Sequence, residues 1–127
     1  QKSHLPVARR RVMISIDSKI KIYLSVGITD MRKGMHGLAM LAEEKLAGKN
    51  NGEGLFVFRG KKGDRIKILW WDGQGFCLYY KCMDRGKFTW PQTEESGIMG
   101  ITRGQLGMLI EGIDWRRPKR SNKAMYS

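Results

Sequence analysis

Basic and aromatic side chains are interleaved in residues 65–81, whose sequence is RIKILWWDGQGFCLYYK. Asp72 and the glycines that follow it divide this segment into two runs that are typical of β-strands. Because successive side chains of a strand point to opposite faces, each run has a core face and an outer face. The residues predicted to face the core are Ile66, Ile68, Trp70, Phe76, Leu78 and Tyr80. The predicted outer face contains Arg65, Lys67, Trp71, Tyr79 and Lys81, and it can extend to Lys19, Lys21 and Tyr23 of the first predicted strand.

This outer face has the chemistry of a nucleic-acid surface, because cations neutralise phosphates and exposed rings stack on bases. Arg65, Lys67 and Lys81 are predicted to contact phosphates. Trp71 and Tyr79 are predicted to stack where the nucleic acid is locally unpaired. The alternative interpretation is a solvated outer face, with Trp71 covered by a helix or by a partner chain.

Further cations lie in a predicted helix start and in predicted turns. Arg32 and Lys33 fall in the first turn of a predicted helix, where the macrodipole disfavours cations. Cations beside free backbone N–H groups can form a phosphate site there. An ion pair with Asp30 or Glu111 is the alternative. The remaining candidates for nucleic-acid contact are Arg59, Lys61, Lys62, Arg116 and Arg117.

The net charge of +12 comes from 24 Lys and Arg residues against 12 Asp and Glu residues, and it is unevenly distributed. Residues 1–12 and 116–127 are basic and contain no acidic residue. Residues 59–87 contain eight cations and three acids. Basic tails on a folded body favour a polyanion as partner, although such tails can also serve solubility alone.

Catalytic and metal-binding patterns are not found. His4 and His36 have no partner at metal-ligand spacing, and no nucleophile elbow or phosphate-binding loop motif is present. Asp72 heads a glycine turn, where aspartate is favoured for local bonds to the backbone. Cys77 and Cys82 fall on opposite faces of one strand, so we predict two buried, reduced thiols. We predict no enzymatic activity, no metal and no cofactor.

The spacing of apolar residues predicts the elements that position these groups. Alternation near residues 20–24 predicts a strand, and a helix is predicted from Thr29 or Asp30 to Gly48. Three strands joined by the turns 61–64 and 72–75 are predicted to form antiparallel hairpins. KFTWP, residues 87–91, is predicted to be a short edge strand, and QTEESGIMG, residues 92–100, a mobile loop.

A second helix is predicted after Thr102, which forms a capping box with Gln105 and precedes an apolar face of Leu106, Leu109, Ile110 and Ile113. The predicted fold class is α+β, a small single domain with a mainly antiparallel sheet of four to five strands and two helices. Residues 1–12 are predicted to be a basic disordered arm or a vector-derived extension. Residues 13–118 are predicted to be the domain and 119–127 a basic tail.

Three stretches occur in order, GITDMRKGMHGLA, LFVFRGKKGDRIKILWWDGQGFCLYYK and MLIEGIDWRRP. Together they make the chain resemble the TnpB-type accessory protein of the IS-sixty-six family of bacterial insertion sequences, the product of the second open reading frame. The resemblance runs from about Met13 to Pro118 and brings no catalytic residues with it.

The resemblance implies a non-catalytic protein that assists transposition beside a larger transposase. We therefore predict a bacterial, cytoplasmic, nucleoid-associated protein that binds DNA through the outer face and the basic tails. The predicted partners are DNA, the transposase and a further copy of the chain, without a membrane. Two alternatives stay open. One is an assembly factor that docks on the transposase through the Trp71 face without contacting DNA, and the other is an RNA-binding regulator of the element.

Overall fold

The computed structural model describes residues 19–46, 53–92 and 97–116, and within them all the strands belong to one sheet. The strand order is β4-β3-β2-β1-β5. The elements in chain order are β1 (Ile22–Ile28), α1 (Met35–Leu46), β2 (Leu55–Arg59), β3 (Arg65–Trp71), β4 (Phe76–Cys82), β5 (Ile98–Ile101) and α2 (Arg103–Ile110). The predicted α+β class with five strands and two helices is confirmed.

All pairs of neighbouring strands are antiparallel except β1 and β2. β1 and β2 run parallel because α1 carries the chain back between them, as a parallel pair requires. β2, β3 and β4 form the two predicted hairpins. In the second turn the Asp72 carboxylate accepts hydrogen bonds from the backbone N–H groups of Gln74 and Gly75, at 2.8 and 2.9 Å. These bonds lower the pKa of Asp72, which confirms its local structural role.

Each face of the sheet is covered by a different layer. The α1 face buries a cluster of Leu38, Ala42, Leu46, Phe56, Phe58 and Leu69. The α2 face buries Ile22, Leu24, Leu55, Val57, Ile66, Ile68, Phe88, Trp90, Ile101, Leu109 and Trp115. β2 is buried on both faces, which is why its sequence LFVF is continuously apolar. Burying each such side chain contributes about 1.5–3 kcal/mol to the free energy of folding.

The first helix begins later than the sequence predicted. The Asp30 carboxylate accepts from the Arg32 backbone N–H at 2.9 Å and so closes a local turn. The first helical hydrogen bond runs from the Leu38 N–H to the carbonyl of Gly34. The predicted cap at Thr29 or Asp30 is therefore wrong. Arg32 and Lys33 lie in a turn before the helix, so the helix-dipole argument does not apply to them.

The last strand also differs from the prediction. Residues 87–91 are not a strand, because Phe88 and Trp90 are buried against the α2 face instead. The Gly63 carbonyl accepts both the Phe88 backbone N–H and the Trp90 indole N–H, each at 3.0 Å. The last strand is β5, which pairs antiparallel with β1 at one edge of the sheet and lies where a mobile loop was predicted.

The second helix confirms its predicted start. Thr102 and Gln105 form the capping box in both directions, and Leu109 is fully buried. Ile113 lies beyond the end of the helix and is 51% exposed, so it does not extend the predicted apolar face. No helix in the described part of the chain is long and apolar enough to cross a membrane.

Gly63 should be intolerant of a side chain. Its φ is +80°, and a Cβ would lie 3.4 Å from both Lys87 and the Trp90 indole nitrogen. We expect Gly63→Ala to lower the free energy of unfolding by about 1–2 kcal/mol, because an L-residue is strained in this region. Gly75→Ala is the matched control, since nothing lies within 4 Å of its Cβ position. Urea unfolding of both variants measures the difference, and equal midpoints would contradict the prediction.

Candidate nucleic-acid interface

The register of β3 and β4 divides the predicted outer face. Ile66 lies opposite Lys81 and Ile68 opposite Tyr79, and directly opposed residues share one face. Tyr79 and Lys81 therefore lie on the α2 face, so this part of the prediction is wrong. The turn explains the difference. Because four residues, 72–75, separate the strands, even-numbered residues of β3 oppose odd-numbered residues of β4.

The same register places the predicted core residues of β4 on the α1 face. Leu78 packs against the buried cluster there. Phe76 and Tyr80 extend past that cluster and are exposed, so their predicted burial is wrong. Cys77 and Cys82 lie on opposite faces, as predicted. Cys82 is exposed rather than buried.

Lys81 and Tyr79 have structural roles on the α2 face. The Lys81 ammonium donates to the Ile110 carbonyl at 2.8 Å, which satisfies an acceptor at the carboxyl end of α2. Tyr79 packs against the buried cluster. Burial, and secondarily the charge of Glu111, raises the pKa of Tyr79. Lys81 is therefore held by the fold, and Tyr79 is not positioned to stack on a base.

Lys67 is the largest departure from the sequence prediction. It lies on the face opposite Ile66 and Ile68, as predicted, but α1 covers that face and Lys67 is only 6% exposed. Its ammonium donates to the carbonyls of Met31 and Lys33, both at 2.9 Å, and lies 4.7 Å from the centre of the Tyr80 ring. The predicted exposure of Lys67 is wrong, because these groups enclose the ammonium. Lys67 instead fixes residues 31–33 against β3.

Three loops meet at one end of the sheet, where Lys67 holds residues 31–33 against β3. In chain order they are residues 29–34, 60–64 and 83–87. The Thr29 N–H donates to the Arg59 carbonyl at 2.9 Å, which joins the first loop to the second. The Met83 N–H donates to the Asp64 carbonyl at 2.8 Å, which joins the second loop to the third. Gly60 allows a close approach between the first two loops, since a Cβ there would lie 2.8 Å from the Met31 side chain.

Cations outnumber acids at this end of the sheet. We call this surface the basic end, and its acidic residues are Asp30, Asp64 and Asp84. Its basic residues are Arg32, Lys33, Arg59, Lys61, Lys62, Arg65, Arg85 and Lys87. The candidates Arg32, Lys33, Arg59, Lys61, Lys62 and Arg65 are thus brought together at one end of the sheet, although only Arg65 was predicted to lie on the outer sheet face.

The acids of the basic end neutralise only part of this charge. Asp30 and Arg32 form a two-bonded ion pair, with the Arg32 guanidinium 2.9 and 3.0 Å from the two carboxylate oxygens. The bonds from Arg32 lower the pKa of Asp30 to about 2. Asp84 and Arg85 approach only to 4.0 Å. Among the described residues, Lys33, Lys61, Lys62 and Lys87 have no carboxylate at ion-pair distance; all four are exposed.

Two arginines of the basic end are partly engaged by the fold. The Arg59 guanidinium lies 5.4 Å from the centre of the Trp90 ring and donates to the Gly60 carbonyl at 3.2 Å. The Arg65 guanidinium donates to the Tyr80 hydroxyl at 3.2 Å and remains exposed. Both guanidinium groups add to the positive potential of this surface.

The closing motif packs beside the basic end. The Arg116 guanidinium bonds to the Asp114 carboxylate at 3.1 Å and to the Trp90 carbonyl at 3.2 Å. The Trp115 indole donates to the Thr89 carbonyl at 2.8 Å. Arg116 is therefore a connector between the chain's closing segment and residues 89–90. Arg117 lies outside the described residues.

Trp71 lies at the opposite end of the sheet. Its side chain is 48% exposed and makes an edge-to-face contact with Phe76, with ring centres 5.1 Å apart. Its predicted outward orientation is confirmed. β3 runs from Arg65 to Trp71, about 20 Å at the rise of a strand. Trp71 is therefore separated from the basic end.

Arg85 and Lys87 are two cations of the basic end that were not predicted from the sequence to contact nucleic acid. The charge count over residues 59–87 already contained both, so the signal was present in the sequence. Nothing in local spacing indicated that residues 83–87 would return to the 60–64 turn. Within the described ranges, no cluster of His, Cys, Asp or Glu side chains could hold a metal ion.

The fold and the basic end define a small single-sheet α+β protein with a cationic surface and an exposed aromatic pair at opposite ends. A family model described as IS66 Orf2 like protein matches residues 20–120, and the chain belongs to this family. Family membership indicates an accessory protein of an insertion sequence.

Two curated relatives come from Sinorhizobium fredii (strain NBRC 101917 / NGR234). The uncharacterized protein y4hO is 41% identical over 109 residues, which cover 86% of this chain and 94% of the relative. The uncharacterized protein y4jC is 33% identical over 108 residues, covering 85% and 92%. No solved structure matches the chain.

Removing the Lys67 ammonium should destabilise the protein. Lys67→Met keeps the length of the side chain but leaves the carbonyls of Met31 and Lys33 without this donor. We expect a loss of about 2–4 kcal/mol in the free energy of unfolding, measured by urea denaturation. Arg65→Met is the matched control on the same strand and face, with an expected loss below about 1 kcal/mol because Arg65 is exposed. Equal losses would contradict the role given to Lys67.

Proposed function

We propose that the protein is a non-catalytic accessory factor of transposition that binds the DNA backbone through its basic end. The observation that carries this proposal is a set of exposed lysines with no carboxylate at ion-pair distance among the described residues, on three loops joined in series by backbone hydrogen bonds. A duplex releases counterions when such cations meet its phosphates, and this release provides most of the affinity. The basic tails of the sequence, residues 1–12 and 116–127, add to the same attraction.

The rigidity of the loops supports the proposal. The Lys67 ammonium holds residues 31–33, and the Gly63 carbonyl holds residues 88 and 90. Cations on a fixed backbone lose less conformational entropy on binding than cations on a flexible loop. The basic end is therefore preorganised for a polyanion with regularly spaced charges.

The proposed contact is to phosphates and not to unpaired bases. Trp71 lies about 20 Å from the basic end along β3, and Tyr79 packs on the other face. Phosphate contacts carry no sequence information by themselves. The proposed binding is therefore independent of sequence, with site selection left to the transposase. This activity would place the protein on the nucleoid in the bacterial cytoplasm.

The salt dependence of DNA binding tests the proposal on the full chain. The quantity measured is the slope of log affinity for a random duplex against log salt concentration. We expect the double variant Lys61→Ala/Lys62→Ala to reduce the magnitude of this slope by about 1–2, because each lost phosphate contact removes about 0.9. Lys19→Ala/Lys21→Ala is the matched control at the other end of the sheet and should leave the slope unchanged. Fluorescence anisotropy over a salt series measures both.

Three further results would contradict the proposal. If Arg9→Ala/Arg10→Ala/Arg11→Ala abolishes binding while the Lys61/Lys62 variant behaves as wild type, the tails bind DNA and the basic end does not. If RNA of matched length binds more tightly than duplex DNA, the regulator hypothesis is favoured. If neither binds at low salt, the protein docks on the transposase without DNA contact.

A further inference from the structure

β4 is an edge strand, and the backbone groups on its outer side have no backbone partner among the described residues. The hydrogen bonds from the Met83 N–H to Asp64 and from the Asp72 N–H to Gly75 fix which residues of the hairpin bond to each other. In an antiparallel pair these residues alternate, so residues 77, 79 and 81 bond to β3. The residues whose N–H and C=O groups point away from the sheet are Phe76, Leu78, Tyr80 and Cys82.

This edge lacks the features that normally prevent edge-to-edge pairing. Proteins blunt edge strands with short length, proline, bulges or outward lysines. β4 has seven residues, FCLYYKC, and an uninterrupted register with β3. The ammonium of Lys81, the charged residue of β4, is directed to the Ile110 carbonyl. The opposite edge, β5, has four residues and contains Gly100.

We propose that the β4 edge binds the β4 edge of a second copy of this chain, antiparallel, about a two-fold axis at Tyr79. In this register Phe76 opposes the second copy's Cys82, and Leu78 opposes the second copy's Tyr80. Shifting the strands by two residues would pair an outward residue of β4 with one in a turn. The centred register therefore satisfies every outward N–H and C=O group of the strand.

Side chains and charge both favour this occupant. Phe76 and Tyr80 lie on the α1 face with 37% and 48% of their surface exposed, and the second strand would cover part of each ring. Antiparallel pairing also places the 72–75 turn of one copy beside the 83–87 loop of the other. The turn contains Asp72 and no cation, whereas the loop contains Arg85 and Lys87 against the single acid Asp84 and is net positive. A parallel arrangement would instead bring two basic ends together.

The state of association and its register are tested separately. Sedimentation equilibrium of the full chain should give twice 14.6 kDa as concentration is raised. A chain that stays monomeric at every concentration tested would overturn the proposal. The same holds if the β4 edge pairs with a strand of the transposase and not with a second copy. This measurement is made without nucleic acid, so it does not depend on the proposed DNA binding.

Disulfide trapping tests the register. In a Cys77→Ser background, Phe76→Cys should oxidise with the second copy's Cys82, because hydrogen-bonded pairs lie about 5.5 Å apart between Cα atoms, within disulfide range. The expected product is a covalent dimer whose linked peptides contain residues 76 and 82. Gly100→Cys in the same background is the control on β5 and should remain monomeric under denaturing, non-reducing conditions. A dimer that is trapped through residue 100 and not through 76 would refute the β4 interface.

Discussion

The structure depends on a buried ammonium group that is satisfied without a carboxylate among the described residues. Lys67 is almost fully enclosed, and its partners are two backbone carbonyls and one aromatic ring. A buried charge is costly unless it is well bonded. The carbonyls of Met31 and Lys33 would otherwise be free to continue a helix, so this bonding keeps residues 29–34 as a turn. Lys67 acts here beside two other contacts, since the Asp30 carboxylate closes the turn at Arg32 and the Thr29 N–H joins the first loop to the Arg59 carbonyl.

The Gly63 carbonyl has a comparable role on the other face of the sheet. By accepting from Phe88 and Trp90 it holds the segment after β4 against the α2 face. Trp115 and Arg116 then bond to the carbonyls of Thr89 and Trp90. The chain's closing motif is therefore connected to the 60–64 turn through one intermediate segment. The basic end is the product of these two anchoring sites, since each brings a different cationic loop to the same edge.

Local features of the fold could be predicted from the sequence, and long-range ones could not. The hairpin turns and the Thr102 capping box depend on residues within a few positions of each other. The sequence also allowed a prediction of which residues of β3 and β4 share a face, because the length of the 72–75 turn fixes which residues oppose each other. The burial of Lys67 could not be predicted from the sequence, since its acceptors lie 34 and 36 residues away. Outward placement of Trp71 was predicted from alternation, but its distance from the cations depends on the direction of the strand.

The sheet order has a consequence for how the chain folds. β2, β3 and β4 form a continuous meander joined by short turns, so their pairing needs little loop-closure entropy. β1 pairs with β2 across a helical crossover and with β5 from residues more than seventy positions away. Non-local pairings of this kind are slow to form. The meander can therefore serve as the folding nucleus, while β1 is added late. Because the Lys67 donor belongs to the meander and its acceptors follow β1, this buried contact forms when the two parts of the chain join.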